Sequence, residues 1–207
     1  MTVQKLVAGE LGSNTYVLKD PTSGTACVID CGEYTSRLEA ALEGLELRYI
    51  LLTHGHFDHI LGVPALKEKH PEAKVLIHAG DERCLTDERS NLLFGRASFV
   101  PFCADATVAD GEELQFDGAT IRVMHTPGHS EGSVCYLMEE NKMIFTGDTL
   151  FHMSCGRTDF YGSDPQKMRE SLKRLSGLDD DYKVFPGHNS TTSMAVEKQY
   201  NVFLRDL

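Results

Sequence analysis

Thr53-His54-Gly55-His56-Phe57-Asp58-His59 sets three imidazoles and one carboxylate within six positions, in a chain with nine histidines. Imidazole nitrogens and carboxylate oxygens are the ligands that Zn²⁺ takes in catalytic sites. Four such groups on so short a loop cannot all reach one ion without strain. Two ions sharing the loop is the easier geometry. The plainer alternative is a polar turn that happens to be rich in histidine. The density of the cluster argues against it and for a metal or catalytic site.

Two ions need more donors than one loop offers, and three later stretches supply them. His129 lies in Thr126-Pro127-Gly128-His129-Ser130, after the strand-like Thr120-Ile121-Arg122-Val123-Met124. Asp148 lies in Phe145-Thr146-Gly147-Asp148-Thr149, after Lys142-Met143-Ile144. His188 lies in Pro186-Gly187-His188-Asn189, after Lys183-Val184-Phe185. Each repeats one grammar: a short apolar strand, a glycine turn, a donor. Glycine lets the backbone bend close to an ion.

The elements that must position these donors are legible too. Tyr49-Ile50-Leu51-Leu52 reads as a buried strand leading into the first loop. Ala65 to Lys69 reads as a helix with Pro64 in its first turn. The cluster therefore sits on a loop at the carboxyl end of a strand, where ligands gather in open α/β sheets. Asn14–Leu18 and Thr25–Asp30 read as a hairpin around Asp20-Pro21-Thr22-Ser23-Gly24. Asp30 is either a partner that orients a ligand histidine or a simple turn residue. Leu38, Ala41, Leu42 and Leu45 give residues 35–44 the spacing of an amphipathic helix. Val75 to His78 is a further strand, with His78 structural. Residues 81–104 show no clean period and are expected to form a helix and a lid over the site. Residues 107–147 alternate strands with glycine turns and are expected to form a second sheet. Asp164-Pro165 caps a helix over 164–176, and Met194 to Leu204 reads as a final helix. Two sheets face to face with helices outside make an α/β, four-layer αββα sandwich, expected as a single domain over 1–207.

The pattern H-x-H-x-D-H, followed by H, D and H in glycine-flanked loops, resembles the metallo-β-lactamase fold superfamily. The resemblance implies that His54, His56 and His129 hold a first metal. It gives Asp58, His59 and His188 to a second, with Asp148 bridging them. Two divalent ions are implied, zinc foremost, with iron or manganese also compatible. A hydroxide clamped by such a pair attacks an electrophilic carbon or phosphorus, because bound water is acidified towards ~7. Asp58 is then both ligand and catalytic acceptor, orienting the hydroxide. No nucleophile elbow or other triad motif competes with this reading.

Details narrow the choice within the superfamily. His56 stands where flavin-linked di-iron oxidoreductases of this fold carry Glu. Asp148 stands where many β-lactamases of the fold carry Cys. The first loop, with Thr126-Pro127-Gly128-His129 and Pro186-Gly187-His188, is most similar to the glyoxalase II branch. That implies a binuclear metal-dependent hydrolase cleaving thioesters such as S-acylglutathione. Ser154-Cys155-Gly156-Arg157-Thr158-Asp159-Phe160-Tyr161 resembles a glutathione-binding loop of that branch, with Arg157 and Tyr161 as substrate-binding counterparts. Arg157 suits a carboxylate by bidentate pairing. Alternatively, it pairs with Asp159 or Asp148 and holds the loop. Only 19 residues follow His188, which suits a short, single-domain glyoxalase II-like enzyme. The rival is a mono-iron persulfide dioxygenase acting on glutathione persulfide, whose matching loop also resembles Cys155 to Phe160. Imidazole and carboxylate ligands suit zinc and iron alike.

Composition sets the remaining bounds. Apolar residues make up 41% and charged residues 25%, ordinary for a globular protein. A net charge of −11 argues against a nucleic-acid substrate and leaves a small molecule, a glutathione conjugate in this reading. No apolar run reaches the ~18 residues of a membrane span, so no membrane role is expected. No secretory signal is visible, and the six scattered cysteines read as free thiols of a cytoplasmic protein. Oligomeric state is left open.

Overall fold

Side chains along the central strands alternate between two apolar surroundings, and this period of two sets the layers. The structure, a computed structural model, describes residues 1–207. Its first half runs β1 (Thr2–Ala8), β2 (Ser13–Asp20), β3 (Thr25–Ile29), α1 (Ser36–Leu42), β4 (Glu46–Leu51), α2 (Phe57–Ile60), α3 (Val63–Lys69) and β5 (Lys74–His78). A 3-10 helix follows over Ala79–Leu85. The second half runs β6 (Ala106–Val108), β7 (Glu113–Phe116), β8 (Ala119–His125), β9 (Val134–Met138), β10 (Met143–Gly147), β11 (Leu150–Phe151), β12 (Ser154–Cys155), α4 (Pro165–Ser176), β13 (Lys183–Pro186), β14 (Thr192–Ser193), α5 (Met194–Tyr200) and α6 (Val202–Arg205).

The strands form two six-stranded sheets, in the orders β1-β2-β3-β4-β5-β6 and β14-β13-β10-β9-β8-β7. In the first, β3 to β6 are parallel; in the second, β10 and β13 are parallel. Tyr16, Leu18, Cys27 and Ile29 point from the first sheet into the space between sheets, where they meet Phe116, Val123, Tyr136, Phe145 and Phe185. The alternate residues Val17, Val28, Ile50 and Ile77 point outward onto Leu38 and Leu42 of α1 and Val63 and Leu66 of α3. On the second sheet, Met124, Cys135, Leu137 and Val184 point outward onto Met168, Leu172 and Leu175 of α4 and Met194 of α5. Helix, sheet, sheet, helix is the expected four-layer sandwich. All six cysteines are free, with Cys27, Cys31, Cys84 and Cys135 buried. No helix is long and apolar enough to cross a membrane.

Four details differ from the sequence reading. β6 belongs to the first sheet, not the second: the chain returns through residues 86–105 and pairs Leu76 with Ala106 in parallel. Residues 81–104 form no α-helix; only a 3-10 helix ending at Leu85 is present. Asp58 and His59 lie on one turn of helix, α2, rather than on an open loop. The final helix is broken at Asn201, whose backbone is extended and whose side chain caps Phe203 N–H of α6.

Asn201 and Glu197 also explain how the C-terminal helices reach the site. Both are fully buried. Glu197 accepts from the Met153 backbone N–H at 2.9 Å, from the Thr192 hydroxyl at 2.7 Å and from Asn201 Nδ2 at 2.8 Å. Asn201 Nδ2 also donates to the Ser154 carbonyl at 3.0 Å. One carboxylate thus ties α5 and α6 to the segment that follows Asp148. Glu197→Ala should strand these donors and cost about 3 kcal/mol, since breaking a buried polar network is among the large single-residue effects. Differential scanning calorimetry should show a midpoint lowered by roughly 6–12 °C for a chain of this size.

Candidate metal centre

The four donor-bearing segments leave their strands at one edge of the sandwich, and hydrogen bonds across the sheets hold them there. Tyr16 Oη and Asn14 Nδ2, both on β2, donate to the Pro186 carbonyl at 2.7 and 2.8 Å, while Asn14 N–H donates to the Gly187 carbonyl at 2.7 Å. These bonds fix the turn that carries His188. Val134 N–H donates to the Thr53 carbonyl at 2.8 Å and Tyr136 Oη to the Leu52 carbonyl at 2.9 Å, docking β9 on the start of the first loop. Gly187 is required by space: a Cβ there would collide with Asp148 Oδ1 and the His59 ring. Gly128, at φ +143°, lies where a Cβ would strike the Met168 backbone of α4.

The structure brings all seven expected donors together. His54, His56 and His129 form one group whose ligand atoms lie within 4.8 Å of one another; Asp58, His59 and His188 form a second. Asp148 faces both, with Oδ2 at 3.4 Å from His129 Nε2 and Oδ1 at 3.5 Å from His59 Nε2. Asp30, His54 and His59 meet the same distance criterion. However, Asp30 already accepts from Thr53 N–H at 2.8 Å, the Thr53 hydroxyl at 2.7 Å and His59 Nδ1 at 2.8 Å. Its oxygens are committed, so it orients His59 rather than offering a ligand. A positive φ of 56° places it there.

These contacts settle which ring nitrogens are bare. Thr53 Oγ1 gives its proton to Asp30, so it accepts from His54 Nδ1 at 3.1 Å, leaving His54 Nε2 buried without a partner. His129 Nδ1 donates to the Arg157 carbonyl at 2.8 Å, leaving Nε2 bare at 2.9 Å from His56 Nδ1. His59 Nδ1 donates to Asp30, leaving Nε2 facing His188 Nε2 at 3.3 Å. Asp148 Oδ1 is likewise buried without a hydrogen-bond partner. Converging lone pairs and an orphaned carboxylate oxygen are what cations would satisfy, and N/O donors of this kind suit zinc or iron.

The electrostatics differ between the groups: His54 and His56 are held neutral, while the carboxylates favour a proton on His59 and His188. Burial, reinforced by the neighbouring imidazoles, pushes His54 and His56 well below the ordinary histidine range. Burial alone would also lower His59, but Asp58, Asp148 and Asp30 overcome it and push His59 up to about 10. Burial would raise Asp58, yet His59 and His188 hold its carboxyl well below the usual range.

Sequence reasoning missed Asp81. This carboxylate is 1% exposed and touches none of the bare nitrogens described above. It accepts from Gly55 N–H at 2.9 Å, between His54 and His56, and from Ser130 Oγ and Gly132 N–H at 2.6 Å each, just after His129. One side chain therefore locks both segments of the first group together. Only the glycines that crowd it, Gly55 and Gly132, hint at it in the sequence.

His56, Asp58, His129, Asp148 and His188 floor a cavity of about 510 Å³, walled by Leu11, Phe57, Leu92, Phe94, Phe151 and Phe160 and edged by Arg96 and Arg157. A larger recess of about 740 Å³ between the 154–159 segment, α4 and α6 contains no histidine. Arg157 reaches the cavity but is bound to Asp159, at 2.9 and 2.7 Å. Tyr161 is half exposed under Arg89 and lines a neighbouring recess that shares His56, not the cavity itself.

Two outcomes are expected. Below about pH 10 a cation reaching His59 must displace a proton, so affinity should fall as pH falls, by about tenfold per unit for one proton. Chelator competition at several pH values measures this slope. Asp81→Ala should loosen the first group, and elemental analysis after dialysis should find metal lost there while Asp81→Asn retains more.

The family model of the metallo-beta-lactamase superfamily matches residues 8–188. The hydroxyacylglutathione hydrolase GloC of Haemophilus influenzae is 34% identical over 193 residues, covering 86% of this chain and 87% of the relative. Among solved structures, the BLEG-1 B3 metallo-beta-lactamase has a TM-score of 0.90 at 33% identity, covering 98% of this chain and 99% of that one. TTHA1623, solved in a di-iron-bound form, has a TM-score of 0.86 at 32% identity, covering 98% and 100%. A match of this extent means that the chain belongs to the metallo-beta-lactamase superfamily.

Proposed function

We propose that the chain is a two-metal hydrolase of thioesters, with S-acylglutathione conjugates as the substrate class. The observation that carries this reading is the pair of donor groups sharing Asp148 on the floor of one apolar-walled cavity. His54, His56 and His129 would hold one ion, Asp58, His59 and His188 the other, with Asp148 common to both. Such ions, zinc in this proposal, supply Lewis acidity and acidify water towards ~7. The chain's own groups do the rest. Asp58, held deprotonated by His59 and His188, accepts a hydrogen bond from the attacking water and orients it. Asp30 and Thr53 keep His59 in one tautomer. Leu92, Phe151 and Phe160 wall the cavity, exclude bulk water and give an acyl chain apolar contact. The name of the Haemophilus relative supports the thioester reading, and the BLEG-1 likeness makes a β-lactam the necessary comparison substrate.

The test loads the protein separately with Zn²⁺ and Fe²⁺. Each form is assayed on S-lactoylglutathione, on a chromogenic cephalosporin, and on glutathione persulfide with dissolved oxygen followed. Thioester loss without oxygen uptake is expected. Oxygen uptake confined to the iron form would replace the hydrolase with an iron dioxygenase, and faster cephalosporin turnover would replace the thioester with a β-lactam. Asp58→Ala should lower kcat by roughly 10²–10⁴, the range for a positioned acid–base group, with little change in melting temperature.

A further inference from the structure

We propose that residues Leu92 to Arg96 form a preformed clamp for an anionic thiol conjugate, with Arg96 as the cation that anchors its carboxylate. This deepens the thioester reading and rests on it for turnover.

Two guanidinium groups edge the cavity, Arg96 and Arg157. Arg157 already has a bidentate carboxylate partner in Asp159, and its guanidinium lies 4.5 Å over the Phe160 ring. Arg96 forms no ion pair and donates no side-chain hydrogen bond; its guanidinium stands 6.0 Å from the centre of the Phe57 ring. Phe57 sits between His56 and Asp58, so the free charge lies beside the donor floor. In a chain of net charge −11, one uncommitted cation at the mouth decides which anions enter.

The segment that carries Arg96 is built to hold one shape. Residues 86–105 contain no helix or strand, and long connections of this kind are usually functional. Yet the base is tightly fixed. Asn91 is fully buried, donates from Nδ2 to the Cys84 carbonyl at 3.0 Å and accepts Leu93 N–H on Oδ1 at 3.0 Å. Its carbonyl accepts Phe57 N–H at 2.9 Å, which ties the segment to the donor loop. Leu93 is fully buried beside it. The flanking Leu92 and Phe94 both hold positive φ, 65° and 49°, where bulky residues seldom sit, and both line the cavity. Phe94 is left 62% exposed. Backbone in this region persists where the surroundings over-determine it, as at ligand clamps. The result is an apolar wall from Leu92 and Phe94 ending in a free guanidinium. It fits a ligand with an apolar middle and a carboxylate distant from its scissile bond, paired in bidentate fashion.

The test compares Arg96→Met, which keeps an unbranched apolar side chain without the charge, with Arg96→Lys and Arg157→Met. Zinc-loaded protein is assayed on S-lactoylglutathione and on the uncharged S-lactoyl-N-acetylcysteamine. Arg96→Met should raise KM for the glutathione thioester about tenfold or more with kcat nearly unchanged, the loss expected of one charge-assisted pair. The neutral thioester should be unaffected, Arg96→Lys should recover part of the loss, and Arg157→Met should do less than Arg96→Met. Equal effects on both thioesters, or no effect, would overturn the clamp. Calorimetric binding of S-hexylglutathione, which cannot be hydrolysed, is the second readout. If wild type turns over neither thioester yet binds this probe about tenfold more tightly than Arg96→Met, the hydrolase reading fails and the clamp stands. No difference in that binding overturns the clamp whatever the turnover.

Discussion

His56 Nδ1 and His129 Nε2 stand 2.9 Å apart, and in the neutral protein both can present lone pairs. Nothing in the chain separates them. His59 Nε2 and His188 Nε2 likewise stand 3.3 Å apart, and there the neighbouring carboxylates favour a proton on the imidazoles. Ring nitrogens this close need a shared proton or a cation between them. Much of the surrounding architecture serves to keep these atoms from relaxing apart.

That restraint comes from buried carboxylates acting on backbone rather than from the donors themselves. Asp30 holds Thr53 and His59, and Asp81 holds Gly55, Ser130 and Gly132. Glu197 holds the Met153 backbone from the side of the C-terminal helices. Each accepts three or more hydrogen bonds, so its charge is distributed over donors in the buried interior. Three carboxylates pin the segments at residues 53–59, 129–133 and 153. The His188 turn depends instead on Asn14 and Tyr16 from the opposite sheet.

The seven donors were readable from sequence because four crowd one short segment and the other three each follow an apolar strand and a glycine. Apolar runs separated by turn residues likewise pointed to two sheets and four layers, with the start of the second sheet misplaced at β6. What stayed hidden depends on contacts distant in sequence. Asp81 sits in a segment without period, and its three partners come from residues 55, 130 and 132. β6 is three residues long, too short for an alternation to register. The break at Asn201 exists because its side chain is drawn to Ser154, 47 residues away. Arg157 offered two readings, anchor or loop brace; it pairs with Asp159 and also lines the cavity. Arg96 gave no signal, since only the packing of Asn91 and Leu93 brings it to the cavity.

The separation of the donors along the chain has a consequence for how the protein reaches its native state. The first group spans residues 54 to 129 and the second 58 to 188. Neither can close until strands from both sheets have docked, and β10 pairs in parallel with β13 across a helix. Such non-local pairings form slowly, because loop closure must precede the contacts that reward it. A chain emerging from synthesis therefore carries a histidine-rich segment with no mate for most of its length. Metal capture becomes a late step, and the last donor to be made is also the last to arrive.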